Sequence, residues 1–159
     1  MQALAENFVT LTCFEVGGGL YALDVSSVRA VARWQPVTPL PQAPALIQGV
    51  VDLRDAVIPV VDLGRVLRGQ PVTPGNRTRL MVVAIDGLAL GLVVDSVLDV
   101  RSVDVSCLED PPALVTQAGY ETARAVVRQA NAPPVLVLSL ENLLERVYRS
   151  AIQIEEAVA

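Results

Sequence analysis

Histidine is absent from this 159-residue sequence, so the most common general base and zinc ligand of enzymes is missing. Only two cysteines occur, Cys13 and Cys107, and their separation is not that of a metal-binding pair. We expect both thiols to be reduced, without a disulfide, and each to be either small apolar filler or a surface thiol. Glycine-rich phosphate loops and the Gly-x-Ser-x-Gly pattern are also missing. The sequence therefore predicts no metal, no cofactor and no enzyme, and leaves the carboxylate pair of Asp52 and Asp55 as the one candidate for acid-base chemistry.

Clustered positive charge is a second absence. The formal net charge is −5 and no run of Lys or Arg occurs, whereas nucleic acids and anionic membranes attract clustered cations. No apolar run reaches the length that spans a bilayer, and no basic segment leads into an apolar signal core near the N-terminus. We therefore predict a cytosolic protein that binds no nucleic acid and does not insert into a membrane.

Aromatic residues are scarce at 4%, while 52% of the residues are hydrophobic. The core must then be aliphatic and built mainly from Val, Leu and Ala. Valine-rich segments that are interrupted by Gly and Pro favour a largely β fold. A chain of this length forms one domain, or two small subdomains that share a core.

The segment 49–64 is the most informative part of the sequence, because two apolar runs meet there around Arg54. The second run predicts a strand buried on both faces, with Pro59 at an edge or a bulge; its β-branched members are Val57, Ile58, Val60 and Val61. A guanidinium keeps its proton and needs up to five acceptors. Arg54 therefore either pairs with acids inside the chain or points into a groove to meet a partner.

Turn residues divide the rest of the chain into short elements. In the first half we predict a strand over Phe8 to Val16, a glycine turn over 17–19, a strand over 20–23, a helical turn leading into a short strand over 25–34, an extended proline-rich segment over 35–44, a helix over 63–67 capped by Asp62 and ended by Gly69, and a surface loop over 70–77.

In the second half the same signals predict a strand over 80–85, an Asp86-Gly87 hairpin, strands over 88–94 and 97–103 that continue one meander, an irregular segment over 106–119, paired strands over 123–128 and 135–138, and a helix from Leu140 to about Ala151. Ser139 caps this last helix, and its inner face carries Leu143, Leu144 and Val147.

A weak internal repeat connects the two halves. Six residues recur unchanged sixty-nine positions later: Gly18, Leu23, Val25, Ser27, Val28 and Val31 become Gly87, Leu92, Val94, Ser96, Val97 and Val100. A strand-then-helix pattern that begins at Val60 recurs at Val137, with an offset of seventy-seven. Either two similar β-subdomains form small closed barrels with a shared apolar wall, or valine-rich strands align by chance.

From Phe8 to about Tyr148 the sequence resembles the CheW family of bacterial chemotaxis adaptor proteins. The resemblance is carried by Tyr21 to Val28, by the proline-rich link to Ile47-Gln48-Gly49-Val50, by Leu53-Arg54 before Val57 to Leu63, by Gly91 to Val97 and by Val135 to Leu138. It implies one domain over 8–150, with tails over 1–7 and 152–159. Within the domain it implies two intertwined five-stranded SH3-like barrels, roughly over 17–70 and 86–150, which share a hydrophobic core and can exchange strands.

The resemblance also implies a non-enzymatic adaptor or scaffold. Such a protein couples the cytoplasmic tip of a methyl-accepting chemoreceptor to the regulatory domain of a CheA-type histidine kinase, in chemotaxis or an alternative chemosensory pathway. It is cytoplasmic and is recruited to membrane receptor arrays. In this family a groove between the subdomains takes the receptor helix, the arginine that matches Arg54 belongs to that region, and the first subdomain meets the kinase.

Three departures from the family pattern indicate a divergent member. The sequence Asp52-Leu53-Arg54-Asp55 stands where the family usually has Asn-Leu-Arg-Gly, Ala30 replaces a common acidic residue, and Val126 replaces a frequent glycine. The first two suit an alternative function, that of a regulatory CheW-like protein that competes for kinase or receptor without completing the array.

Two sets of candidate residues follow. The candidates for the receptor groove are Val25, Val28, Val31, Arg54 and Leu90, although each of the apolar ones also suits a plain core position. The candidates for an internal network around the arginine are Asp52, Asp55 and Asp62, and a paired guanidinium can still spend donors on a partner. We expect Asp95 to be a turn or cap residue.

Overall fold

A computed structural model describes residues 7–112 and 122–147 of the chain. Eleven strands and two α-helices lie in these ranges. In chain order they are β1 (Phe8–Val16), β2 (Gly19–Asp24), β3 (Val28–Arg33), β4 (Ile47–Leu53), β5 (Ala56–Asp62), α1 (Leu63–Arg68), β6 (Arg79–Ile85), β7 (Leu88–Val94), β8 (Ser96–Asp104), β9 (Leu108–Glu109), β10 (Ala123–Val127), β11 (Val135–Leu138) and α2 (residues 140–147). Short 3-10 helices precede β3 at Val25–Ser27 and β9 at Val105–Cys107.

The strands form two sheets, which confirms the mainly β fold. One sheet has five strands in the order β3-β6-β7-β5-β4, and the other has six in the order β8-β1-β2-β11-β10-β9. The five-stranded sheet is built from the continuous segment 28–94, whereas the six-stranded sheet joins the first hairpin to strands from the second half. Each sheet therefore takes strands from both predicted subdomains, 17–70 and 86–150.

The internal repeat is visible in the strand pairing. Val28 pairs with Val83 in one sheet, and Val97 pairs with Phe14 in the other, so both partners are shifted by sixty-nine positions. An unpaired residue interrupts each ladder at the equivalent place, Arg29 in β3 and Leu98 in β8. Chance alignment of valines does not reproduce pairing register and bulge together, so the two halves are structural repeats.

The third strand of each repeat pairs with the first strand of the other repeat. The sequence predicts that residues 97–103 extend the β6–β7 meander. This prediction is wrong, because β8 pairs with β1. Asp95 explains the change of direction: its N–H donates to the Glu15 carbonyl over 3.0 Å, and its carboxylate accepts from the Gly17 N–H. These bonds hold the end of β7 against the first hairpin, as expected for a turn residue, and β8 continues along β1.

Burial in β5 is less complete than predicted. The second half of the strand is buried, but Val57 is 69% exposed near the hairpin tip. Pro59 lies in an internal strand and not at an edge. The irregularity of the β4–β5 ladder falls between Ile47 and Gly49, next to the pair of Val50 with Pro59. Val50 directs both its N–H and its C=O to Thr38, at 2.9 Å each, and so away from β5. The proline therefore takes no bond from β4, and the ladder with β7 begins one residue later, at Val60.

The segment 106–119 is less irregular than predicted, because Leu108–Glu109 pairs with β10 as a short edge strand. Residues 113–119 of that segment lie outside the described residues, as do residues 148–151 of the predicted C-terminal helix. Over 140–147 the helix is confirmed: the Ser139 hydroxyl accepts from the Asn142 N–H at 3.2 Å, and Leu143, Leu144 and Val147 are buried.

A shared core lies between the two sheets. Phe14 and Leu23 enter it from the six-stranded sheet, Met81 and Leu92 enter it from the five-stranded sheet, and each of the four is at most 1% exposed. The apolar face of α2 closes one end of this core. Burial of aliphatic side chains contributes about 1.5–3 kcal/mol each, so the two sheets depend on one another for stability.

Asp62 connects β5, α1 and the following loop. Its carboxylate caps α1 by accepting from Gly64 and Arg65, and it also accepts from the Val72 N–H at 3.0 Å. Gly69, with φ of 72°, ends α1 in the left-handed conformation, as predicted. Burial raises the pKa of Asp62 above its usual range, although the amide donors oppose the shift.

The Gly49→Ala variant should be less stable than the wild type by about 1–3 kcal/mol. A Cβ at this position would overlap the Thr38 carbonyl, which is held in place by two backbone bonds to Val50. Chemical denaturation measures the difference. Gly75→Ala is the matched control, because nothing lies within 4 Å of its Cβ position, and equal losses in the two variants would contradict the argument.

Asp62 should make the chain less stable as the pH rises through the range just above about pH 4. The raised pKa means that the folded chain holds this proton more tightly than the unfolded chain does, so ionisation favours unfolding. Free energies of unfolding across this range should show a smaller negative slope in Asp62→Asn. Asp52→Asn, which removes an exposed carboxylate, is the control, and an unchanged slope in Asp62→Asn would contradict the assignment.

Candidate functional site

An open apolar margin runs along β3 at the edge of the shared core. Residues that face each other in an antiparallel pair project to the same side of the sheet. Val28 and Val31 lie opposite Val83 and Met81, which are fully buried between the sheets. Val28 is partly buried against this core, whereas Val31 is 45% exposed. Because β3 is an edge strand, its apolar face extends beyond the part that the other sheet covers.

The 3-10 helix before β3 continues this surface. The Asp24 carboxylate accepts from the Ser26 N–H at 2.9 Å, which orders the turn and leaves Val25 exposed at its start. Three of the predicted groove residues are therefore consecutive along one edge. We call the surface formed by Val25, Val28 and Val31 the β3 margin.

The second repeat has an equivalent margin on β8, which sequence reasoning did not include among the candidates. Val97 is partly buried against the shared core, and Val100 is 61% exposed opposite buried Thr12. The signal was present, because Val97 and Val100 are the sixty-nine-residue repeats of Val28 and Val31. The fold thus offers two related apolar edges, one on each sheet.

Leu90 lies in a different place, an apolar groove of about 370 Å³. Leu90 is only 5% exposed, so it forms the floor of the groove rather than its rim. One wall is the proline-rich segment 40–44, where Leu40 is 46% exposed, and another is α2 with Leu144 and Val147. The contribution of the proline-rich segment was not predicted, since prolines signal an extended backbone without indicating what it packs against.

Arg54 lies at the exposed tip of the β4–β5 hairpin. Arg54 and Asp55 have φ of 49° and 67°, so both central turn residues take the left-handed conformation of a type I′ turn. Gly and Asn adopt this conformation most easily, and other residues do so at a cost of about 1–3 kcal/mol each. The turn thereby presents the arginine to solvent.

The internal network around Arg54 does not form within the described chain. Arg54 has no ion pair there, Asp52 and Asp55 are exposed, and Asp62 bonds to backbone amides at the far end of β5. The hairpin tip lies at the start of the seven-residue strand β5, and that carboxylate lies on its last residue. No acid among residues 7–112 and 122–147 pairs with Arg54, whose guanidinium carries five donors.

The described residues contain no group of three or more His, Cys, Asp or Glu side chains with metal-site geometry. No helix in the same ranges is long and apolar enough to cross a membrane. Cys13 is buried in β1, and burial raises the pKa of its thiol, which keeps it protonated and unreactive.

Known proteins resemble the chain over almost its whole described length. The CheW-like domain family matches residues 10–147. The probable chemotaxis protein CheW of Rhizobium etli is 31% identical over 127 residues, which are 80% of this chain and 82% of that protein. Protein FrzA of Myxococcus xanthus is 32% identical over 140 residues, 88% of each. The crystal structure of the scaffolding protein TtCheW from Thermoanaerobacter tengcongensis has a TM-score of 0.72 at 26% identity, covering 82% of this chain and 88% of that one.

The Asp55→Gly variant should be more stable than the wild type by about 1 kcal/mol, because glycine takes positive φ without strain. Thermal or chemical denaturation measures the gain. Asp52→Gly, in the extended strand β4, is the control and should be destabilising by about 0.5–1 kcal/mol. A loss of stability in Asp55→Gly would show that the Asp55 side chain supports the turn.

Proposed function

The chain belongs to the CheW-like domain family, and on that premise we propose that it is a non-catalytic adaptor that couples chemoreceptors to a CheA-type histidine kinase. The observation that carries the proposal is the family match over 10–147, which spans both sheets and therefore every surface described above. The similarity to TtCheW, a scaffolding protein, supports the same proposal. The protein acts in the cytoplasm and is recruited to membrane receptor arrays by its partners.

The receptor contact is made by the β3 margin together with Arg54. An amphipathic helix binds by laying its apolar stripe on a complementary groove, and the cytoplasmic tip of a chemoreceptor supplies such a helix. Val25 and Val31 are exposed beside the shared core, and Arg54 projects from a hairpin of the same five-stranded sheet. The valines supply apolar burial, and the exposed Arg54 guanidinium supplies polar specificity.

The kinase contact lies within segment 17–70 on β5, beside the hairpin tip that carries Arg54, because one adaptor must hold both partners at once. Val57, 69% exposed, is the most exposed large apolar side chain among the described residues. The regulatory domain of the kinase, which has the same fold as the adaptor in this family, docks against this surface. Each contact is of moderate size, and arrays then assemble through many weak contacts.

A second candidate function is that of a regulatory CheW-like protein that occupies kinase or receptor without completing the array. Ala30, in place of the acidic residue that is common in the family, favours it, as does the strained Arg54-Asp55 turn. Kinase activity in a reconstituted complex of receptor, adaptor and kinase distinguishes the two: an adaptor raises it, and a competitor lowers it when added to a working array.

The Arg54→Ala variant should bind a receptor cytoplasmic fragment from the same genome about tenfold more weakly, which corresponds to about 1.4 kcal/mol. Its affinity for the kinase regulatory domain and its melting temperature should be unchanged, because Arg54 is unpaired in the described chain. Titration calorimetry measures both affinities.

Arg124→Ala is the matched control, since it removes an exposed arginine from the other sheet. Equal receptor affinity in wild type and Arg54→Ala would remove Arg54 from the contact. Failure of the wild type to bind either partner would overturn the adaptor function.

A further inference from the structure

The two equivalent margins differ in charge beyond their exposed valines. At the end of β3, Arg33 lies directly opposite Arg79 of β6. The equivalent residues of the other sheet, sixty-nine positions away, are Ser102 and Thr10. Those two hydroxyls hydrogen-bond to each other at 3.2 Å. The β8 edge therefore ends in a neutral, hydrogen-bonded pair, and the β3 edge ends in two cations.

No acid balances these cations in the described chain. The Arg79 guanidinium donates to the carbonyls of Asn76 and Thr78, each at 2.9 Å, and Arg33 is exposed without a partner there. Both described salt bridges, Arg101–Asp99 and Arg128–Glu109, involve strands of the six-stranded sheet. Like charges directly opposite each other on neighbouring strands are destabilising, so this pair lowers the stability of the free protein.

The arginines face the same side as the β3 margin. Side chains two residues apart on a strand project to the same face, so Arg33 follows Val31 at a spacing of about 6.6 Å. Across the ladder, Arg79 precedes Met81 in the same way. The cationic pair, Arg33 with Arg79, thus extends the apolar margin at one end and makes a continuous surface with it.

Protection of an exposed edge does not account for the placement. Charged residues on edge strands do prevent unwanted strand pairing. The longer edge is β8, with nine residues and with Leu98 and Val100 exposed. Its charged residues are Asp99, Arg101 and Asp104, and its one cation, Arg101, is paired with Asp99. If edge protection had selected the charges, the more apolar and longer edge would carry the unpaired cations. The cationic pair is instead on the edge that we assign to the receptor.

We propose that the receptor helix that docks on the β3 margin carries a carboxylate one helical turn beyond the apolar residue that meets Val31, and that this carboxylate pairs with Arg33 and Arg79. The inference rests on the proposed adaptor function. Residues four apart on a helix are about 6 Å apart along its axis, which matches the spacing of Val31 and Arg33 on the strand. An acidic residue at that place relieves the repulsion between the two arginines and sets the register of the helix.

The test measures binding of a purified receptor cytoplasmic fragment from the same genome to wild type, Arg33→Gln and Arg33→Glu at about 50 and 500 mM salt, because salt screens exposed charges. Wild-type affinity should fall severalfold at high salt. At low salt Arg33→Glu should bind at least tenfold more weakly than wild type, with Arg33→Gln in between, and the three should converge at high salt. A receptor fragment with Lys in place of the acidic residue should restore binding to Arg33→Glu.

Arg124→Glu is the matched control, with the same change of charge on the other sheet, and it should bind like wild type. Equal affinity of wild type and Arg33→Glu at low salt would overturn the inference and leave the adaptor function standing. Weak binding of Arg33→Glu that no charge-swapped fragment restores would also overturn it. If the wild type does not bind the fragment at either salt concentration, the adaptor function fails and the inference fails with it.

Discussion

The crossing of β3 and β8 between the two sheets is the constraint on which the rest of the structure depends. Each of these strands leaves the hairpin that precedes it and completes the sheet of the other repeat. The Asp95 bonds to the first hairpin and the capped turn at Val25–Ser27 direct the two crossings. Because the strands are exchanged, the core between the sheets belongs to both repeats. The crossing also makes β3 and β8 edge strands, which is why each presents a partly uncovered apolar face.

Local signals predicted the elements of this fold well. Turn chemistry accounts for most of that success: Asp86-Gly87 forms its hairpin with positive φ at both residues, and Asp62 and Gly69 delimit α1 as their residue types require. Partners distant in sequence were harder to predict, since no local pattern in 97–103 indicates that β8 pairs with β1 rather than with β7. For the same reason Pro59 was predicted at an edge or a bulge. The internal strand accepts the proline because Val50, which lies opposite it, bonds to Thr38 and needs no N–H from Pro59.

The candidate site was predicted in part. Val25, Val28 and Val31 do form one continuous surface, because a capped turn leads directly into an edge strand. Leu90 lies in a separate groove, and Arg54 lies at a hairpin tip with no ion pair in the described chain. Whether a predicted groove residue can contact a partner depends on its exposure. Periodicity in a valine-rich sequence does not distinguish a half-covered valine from a buried one. The internal repeat does identify the β8 margin, because Val97 and Val100 occupy the positions equivalent to Val28 and Val31.

The division of the chain between the sheets also sets an order for folding. The five-stranded sheet uses only residues 28–94 and is complete once that segment has been synthesised. In the other sheet, Thr10 must meet Ser102 across a separation of 92 residues, and closing so long a loop is slow and entropically costly. The first hairpin to leave the ribosome therefore waits for the second half of the chain with both of its edges unpaired. During synthesis the strand edges that wait longest for their partners, and that can aggregate or meet chaperones, are therefore those of β1 and β2.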